Sequence, residues 1–335
     1  MNSIIAGFSL ILFAGISGGL VGLPLRLRRR YAIENMCLLG YLVGVIIIPL
    51  FAAQLLLPHW QLAVANAGIK PVLIAAAFGI GWGIASVAFA LGISTVGLSL
   101  GYAVIMGINM VAGSLIPLIR RWQGISEEAR IFIFLGIILS VVGVTICGKA
   151  GIMRESSVAE RTSVGRLLAG IVWCILSGLL SACINVGFDF AERISEETIK
   201  LGAHPVYSSI GRWLPIYWGG YAAVLVIFGT RMLKHRIWTN FFGPGSGRDF
   251  ILTLVMAVLL VLSPIQYGMA VCYLGQLGTS VGWGILIILI IIVANIVGFF
   301  TGEWKNASKS SVITFYTGLA ILVLAILCFC NSFMK

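Results

Sequence analysis

The chain has 335 residues, of which 60% are hydrophobic and 10% charged, with a formal net charge of +11. Soluble domains carry about 25% charged residues, so this composition excludes a water-covered globule and makes lipid the natural solvent for most of the surface. Positive charge is what the cytoplasmic loops of an inserted helical protein collect, and it calls for no nucleic-acid partner.

A spanning helix takes about 20 predominantly apolar residues. Ten stretches meet that requirement, at 3–25, 34–57, 71–93, 97–119, 131–150, 167–190, 206–229, 250–275, 279–301 and 312–332. They predict an all-α integral membrane protein and leave no room for a soluble catalytic domain. The first stretch lacks a basic leader and holds Gly15, Ser17, Gly18 and Gly19 at its core, so it reads as a spanning helix rather than a cleaved signal. The basic run Arg26–Arg30 follows it, and Glu34 opens the second helix. Gly15/Gly19, Gly40/Gly44 and Gly79/Gly83 place small residues four apart, a spacing that lets backbones approach closely in lipid. The sixth helix ends at Asp189 and Glu192. The segment Ser195–His204 then predicts a short surface helix, ended by Gly202 and stopped by Pro205. Arg212 lies about two turns inside the seventh helix. The ninth, Val281–Phe300, is a continuous apolar run, where a transmembrane β-barrel would need short alternating segments. Glu303 follows it.

The chain carries a weak internal repeat. The third helix passes into the fourth through Leu91-Gly92 and Gly97-Leu98-Ser99-Leu100-Gly101-Tyr102. The eighth passes into the ninth through Leu274-Gly275 and Gly278-Thr279-Ser280-Val281-Gly282-Trp283. Ile16–Leu20 and Leu176–Leu180 form a second echo. Together these predict two five-helix repeats, 1–155 and 165–335. An odd number of spans inverts the second relative to the first, the arrangement of secondary transporters with a substrate site near the midplane. Gly-x-Ser-x-Gly is also the string of a hydrolase nucleophile elbow, but that motif needs a strand-to-helix turn and His and Asp partners, and here it joins two apolar helices. The loops on one side collect twice as many lysines and arginines as those on the other, which places both termini outside by the positive-inside rule.

Polar groups in hydrocarbon must face one another or the bundle interior. The mid-span candidates for substrate binding are Asn109, Asn185, Gln266, Tyr267 and Asn295, with Trp82, Tyr102, Trp213 and Trp283 as aromatic neighbours. Amides pair with hydroxyls and rings cover apolar sugar faces, a composition suited to a sugar-like polyol. Interhelical hydrogen bonding and interfacial aromatic belts are the structural alternatives for the same residues. A proton-coupled carrier needs a protonatable group within its spans, and Glu34 and Asp189 are the best-placed carboxylates. Arg212 could pair with Asp189, snorkel outward, or hold an anionic substrate group. The seven cysteines sit in apolar stretches and form no CxxC, and His59, His204 and His235 do not cluster, so neither a metal nor a cofactor is expected.

These strings resemble the rhamnose–proton symporter family of the drug/metabolite transporter superfamily. The resemblance rests on Pro24–Met36, Leu57-Pro58, Phe78–Gly83, Pro205-Val206-Tyr207 and Gly302–Ala307, and it extends over the whole chain. It implies ten helices in two inverted halves and substrate entry coupled to protons. The superfamily's larger members usually have cytoplasmic termini, opposite to the loop count. Asp189 stands where the family is expected to carry Asn, and Arg212 where it carries no charge, which points toward a related sugar or a sugar acid held by Arg212.

The expected function is therefore proton-coupled uptake of L-rhamnose or a related sugar or sugar acid by alternating access. The chain would be a multi-pass monomer or weak dimer in a bacterial inner membrane, with the bilayer and the sugar as its partners. The alternative is a superfamily-type exporter of amino acids or other small metabolites, in which Arg212 and Asp189 would read a zwitterion. A membrane-embedded enzyme would need convergent catalytic Asp or His groups, and the sequence offers no such set.

Overall fold

A computed structural model describes residues 2–96, 98–155, 164–302, 304–305 and 307–334. Among these residues there are helices and no strands. Ten helices among the described residues are long and apolar enough to cross a membrane: α1 (Ser3–Leu27), α2 (Ile33–Leu56), α3 (Ile69–Ile93), α4 (Leu100–Arg120), α5 (Glu127–Arg154), α6 (Leu167–Lys200), α7 (Pro205–Lys234), α8 (Ser246–Leu277), α9 (Val281–Phe300) and α10 (Lys309–Asn331). Each overlaps one predicted stretch. In lipid a helix satisfies its own backbone N–H and C=O groups, so a long apolar run has few other choices. Gly97, Glu303 and Asn306 lie outside the described residues.

Two local departures follow from particular residues. Within α2, Leu42–Ile47 is π-helical, just ahead of Pro49. A proline ring clashes with the carbonyl four residues back and donates no hydrogen bond, and a widened turn absorbs that misfit. The predicted surface helix begins one turn earlier than expected, as Glu192–Lys200, continuing α6 past a turn at Ala191. It ends as the sequence suggests. Gly202 has φ +95°, Ala203 N–H donates to the Thr198 carbonyl at 3.0 Å, and Pro205 opens α7. Ile194, Ser195 and Thr198 form its buried face, packed against the short helix Trp60–Ala67.

The chain divides into two compact units, Met1–Ile84 with Ile184–Gly275 and Ala85–Cys183 with Gln276–Lys335. Their boundaries fall inside α3 and α6, so each unit draws on both halves of the sequence.

In the first unit, α3 and α7 cross with almost no side chain between them. A β-carbon on Gly79 would overlap the Ile216 carbonyl oxygen, one on Gly219 would overlap that of Ala76, and one on Gly83 would lie 2.5 Å from that of Gly220. Gly44 of α2 makes a similar approach, 2.6 Å, to the Ala257 carbonyl of α8. Close backbone packing replaces the hydrophobic driving force that lipid removes. In the second unit, α5 and α10 use the same device. Gly136 faces Phe329, Gly143 faces Leu322, and Gly318 faces Cys147. Phe299, Trp304 and Phe315 close one end of that unit, with ring centroids 4.7–5.3 Å apart.

Candidate functional site

Seven of the eleven candidate residues fall in the first unit: Glu34, Trp82, Asn185, Asp189, Arg212, Gln266 and Tyr267. Its core is a chain of aromatic rings running through α2, α3, α7, α6 and α8. Tyr41 stacks on Trp82 at 5.4 Å, Trp82 meets Tyr217 at 6.2 Å, Tyr217 stacks on Trp213 at 5.5 Å, Trp213 stacks on Phe188 at 4.4 Å, and Phe188 meets Tyr267 at 5.8 Å. Glycines at the α3–α7 crossing bring the rings this close.

Polar atoms are set into this aromatic core at few points. The Tyr267 hydroxyl donates to Asn185 Oδ1 at 2.7 Å, and both residues have no exposed surface. Asp189 lies one turn along α6 from Asn185 and is 1% exposed. The guanidinium carbon of Arg212 stands 5.0 Å from the centre of the Phe188 ring, a cation–π distance. Gln266 is half-buried and accepts a hydrogen bond from Ser17 Oγ at 3.1 Å. Asn185, Asp189, Arg212 and Tyr267 thus belong to one unit, and the first three surround Phe188 in sequence or in space.

Glu34 has a different setting. Its carboxylate pairs with Arg231 of α7, 3.0 Å from one terminal nitrogen and 3.1 Å from Nε. The Arg231 side chain is 57% exposed, so the pair sits at the margin of the unit.

The other four candidates lie in the second unit. Trp283 is buried, and its indole N–H points to the Asn109 backbone carbonyl at 3.4 Å. Gly113 leaves the room for that ring. Asn109 is buried, and its Oδ1 has no hydrogen-bond partner among the described residues. Tyr102 meets Phe89 edge-on at 6.4 Å. Asn295 donates to the Ile291 carbonyl of its own helix at 2.8 Å, which ties that amide to the backbone.

Sequence reasoning missed three residues of the first unit. Ser209 and Tyr217 flank Trp213 on α7 at four-residue intervals, and all three are buried. Neither the Ser209 and Tyr217 hydroxyls nor the Trp213 indole nitrogen has a hydrogen-bond partner among the described residues. A polar residue at every fourth position of an apolar helix was the available signal. Asp249 is the third. It is fully buried at the start of α8, and its carboxylate accepts from the backbone N–H groups of Arg29, Arg30 and Tyr31 at 2.6–3.2 Å. The basic connection between α1 and α2 is therefore folded around a carboxylate. Burial, with the Asp249 charge beside it, pushes the Tyr31 phenol above its ordinary pKa.

Among the described residues no group of three or more His, Cys, Asp or Glu could hold a metal ion, and the cysteines are free thiols. Ten apolar spanning helices with a buried amide and carboxylate and a half-buried guanidinium in an aromatic core define a polytopic membrane transport protein. More particularly, the chain belongs to the L-rhamnose-proton symport protein (RhaT) family, whose model matches residues 1–331. It is similar to the L-rhamnose-proton symporters of Escherichia coli O1:K1 / APEC and of Shigella dysenteriae serotype 1 (strain Sd197). Each is 23% identical over 332 residues, covering 97% of this chain and 96% of the relative. The family is one of transporters, so the chain is a carrier and not an enzyme.

Proposed function

We propose that this chain imports L-rhamnose or a closely related sugar or sugar acid together with protons, by alternating access, in the inner membrane of a bacterium. The observation that carries the reading is the Tyr267–Asn185 hydrogen bond, buried within the aromatic core one turn from Asp189. An amide and a phenol meet the donor and acceptor needs of sugar hydroxyls, and a carboxylate within the same turn can sense both proton and sugar. The names of the relatives support the substrate class and the coupling ion.

The coupling follows from charge. A buried carboxylate without its proton is costly to move through a low-dielectric interior. Protonation of Asp189 removes that cost, and the sugar then completes the polar network around Asn185. The fully loaded and fully empty carriers reorient, while intermediate states are held back. The two five-helix repeats are the moving parts. Gln266 and Trp82 of the same unit complete the substrate contacts, and Arg212 selects for a carboxylate-bearing sugar.

Purified protein in proteoliposomes, given labelled L-rhamnose and an imposed inward proton gradient, tests the reading. Uptake should rise with the gradient and fall when an ionophore collapses it. Sugar accumulation indifferent to the gradient overturns proton coupling. Stabilisation by amino acids, with none by sugars or sugar acids, would favour a metabolite exporter.

A further inference from the structure

We infer that Ser209, Trp213 and Tyr217 of α7, packed beside Gly268 of α8, bind sugar hydroxyls directly and set which sugar is carried; this rests on the sugar-transport reading above. Residues four and eight positions apart share one helix face, so these three form a single polar stripe. Their relative exposures are 2%, 0% and 1%, and Ser209 Oγ, Trp213 Nε1 and the Tyr217 hydroxyl have no hydrogen-bond partner among the described residues. Several hydroxyls elsewhere in the spans behave differently. Ser140, Thr230 and Thr253 each donate to the carbonyl four residues back, the usual resort of a helical hydroxyl in lipid. Ser209 does not.

The ring geometry says what the stripe can offer. Trp213 lies between Phe188, stacked at 4.4 Å and 29°, and Tyr217, stacked at 5.5 Å and 14°. Both its faces are occupied, so its N–H edge is the part left for a ligand. Gly268 stands before that edge. A β-carbon there would lie 2.8 Å from Ser209 Oγ and 2.9 Å from Trp213 Nε1, so only a glycine backbone fits beside both, and any side chain would crowd them. An indole N–H only donates, whereas the serine and tyrosine hydroxyls donate and accept. That set suits adjacent hydroxyls on a sugar ring, each of which also donates and accepts. Buried polar groups are nearly always bonded, and a run of unbonded ones on one face is what a site awaiting its ligand presents.

The test uses full-length purified protein, with L-rhamnose and a panel of its deoxy analogues as probes. Affinity comes from ligand-induced thermal shifts and radioligand binding. S209A and Y217F each delete a hydroxyl with little change in volume. Each should weaken L-rhamnose binding about tenfold while leaving the melting temperature of the ligand-free protein unchanged. An analogue lacking the matching hydroxyl should lose its disadvantage in the corresponding variant, the signature of direct contact in a double-mutant cycle. G268A should abolish binding. The inference is overturned if S209A and Y217F bind L-rhamnose as the parent does, or if their ligand-free melting falls as it would for a lost structural bond. Parent protein that binds no sugar at all overturns the transport reading and the inference together.

Discussion

Tyr267 of α8 and Asn185 of α6 are joined by a 2.7 Å hydrogen bond at a point where both side chains are shut off from solvent and lipid. In so apolar a setting the bond is strengthened and its loss is costly. Y267F keeps the ring and its contact with Phe188 but takes this donor from Asn185. We expect a loss of roughly 1–3 kcal/mol, read as a lower melting temperature in detergent, with weakened sugar binding alongside. A variant that melts like the parent would show that the bond contributes little to the fold.

The glycines at the α3–α7 crossing give a sharper test of packing. G79A and G219A each drive a methyl group into a backbone carbonyl, and a carbonyl held in a helix cannot turn aside. Overpacking of this kind costs about 1–3 kcal/mol or more. Both variants should give little monodisperse protein on fluorescence-detected size exclusion. G22A, which meets nothing within 4 Å, should behave as the parent; equal behaviour of all three would contradict the close crossing.

How much of this was legible beforehand depends on whether the cause was local. The ten spans were, because a run of about 20 apolar residues in lipid has one backbone solution. Gly79 and Gly83 were, because four-residue spacing of small residues has a direct packing meaning. The π-helical turn before Pro49 was not legible, because the apolar run around it reads as a plain spanning helix. Partnerships across the chain were not legible. Arg231, which holds Glu34, lies 197 residues away, and Asp249 gains its partners only when the Arg29–Tyr31 backbone folds onto it. Asn185 and Tyr267 were each named on depth and chemistry, but nothing in the sequence said that they meet. Trp213 reads from the sequence as an aromatic neighbour, while Ser209 and Tyr217 gain meaning only from the buried face they share with it.

Asp249 carries a prediction of its own. Its carboxylate is the acceptor for three consecutive backbone donors, and hydrogen bonds to a charged group are worth about 1.5–3 kcal/mol. D249A would leave the N–H groups of Arg29, Arg30 and Tyr31 without that acceptor. D249N would return one acceptor oxygen but bring N–H donors to face them. We expect D249A to lower stability by about 3 kcal/mol and D249N by less. Limited proteolysis between α1 and α2 should speed up in the same order. Cleavage at the parental rate in D249A would mean the carboxylate does not anchor this connection.

The two candidate carboxylates differ in how deeply they are buried, and this separates their roles. Glu34 is met by Arg231, whose side chain is largely exposed; an ion pair at such a margin is worth little and is screened by salt. Asp189 is almost wholly buried, one turn from Asn185. If Asp189 carries the coupling proton, D189N fixes the neutral state. The carrier should then exchange sugar for sugar across the membrane but fail to accumulate it against a gradient, and exchange should lose its dependence on external pH. E34Q should keep gradient-driven accumulation, with its rate lowered no more than a few-fold, because only a peripheral pair is removed. The measurement is counterflow and proton-driven uptake of labelled L-rhamnose in proteoliposomes across a series of external pH values. Accumulation surviving in D189N but lost in E34Q would move the proton to Glu34 and make the Arg231 pair, not the buried turn of α6, the coupling element.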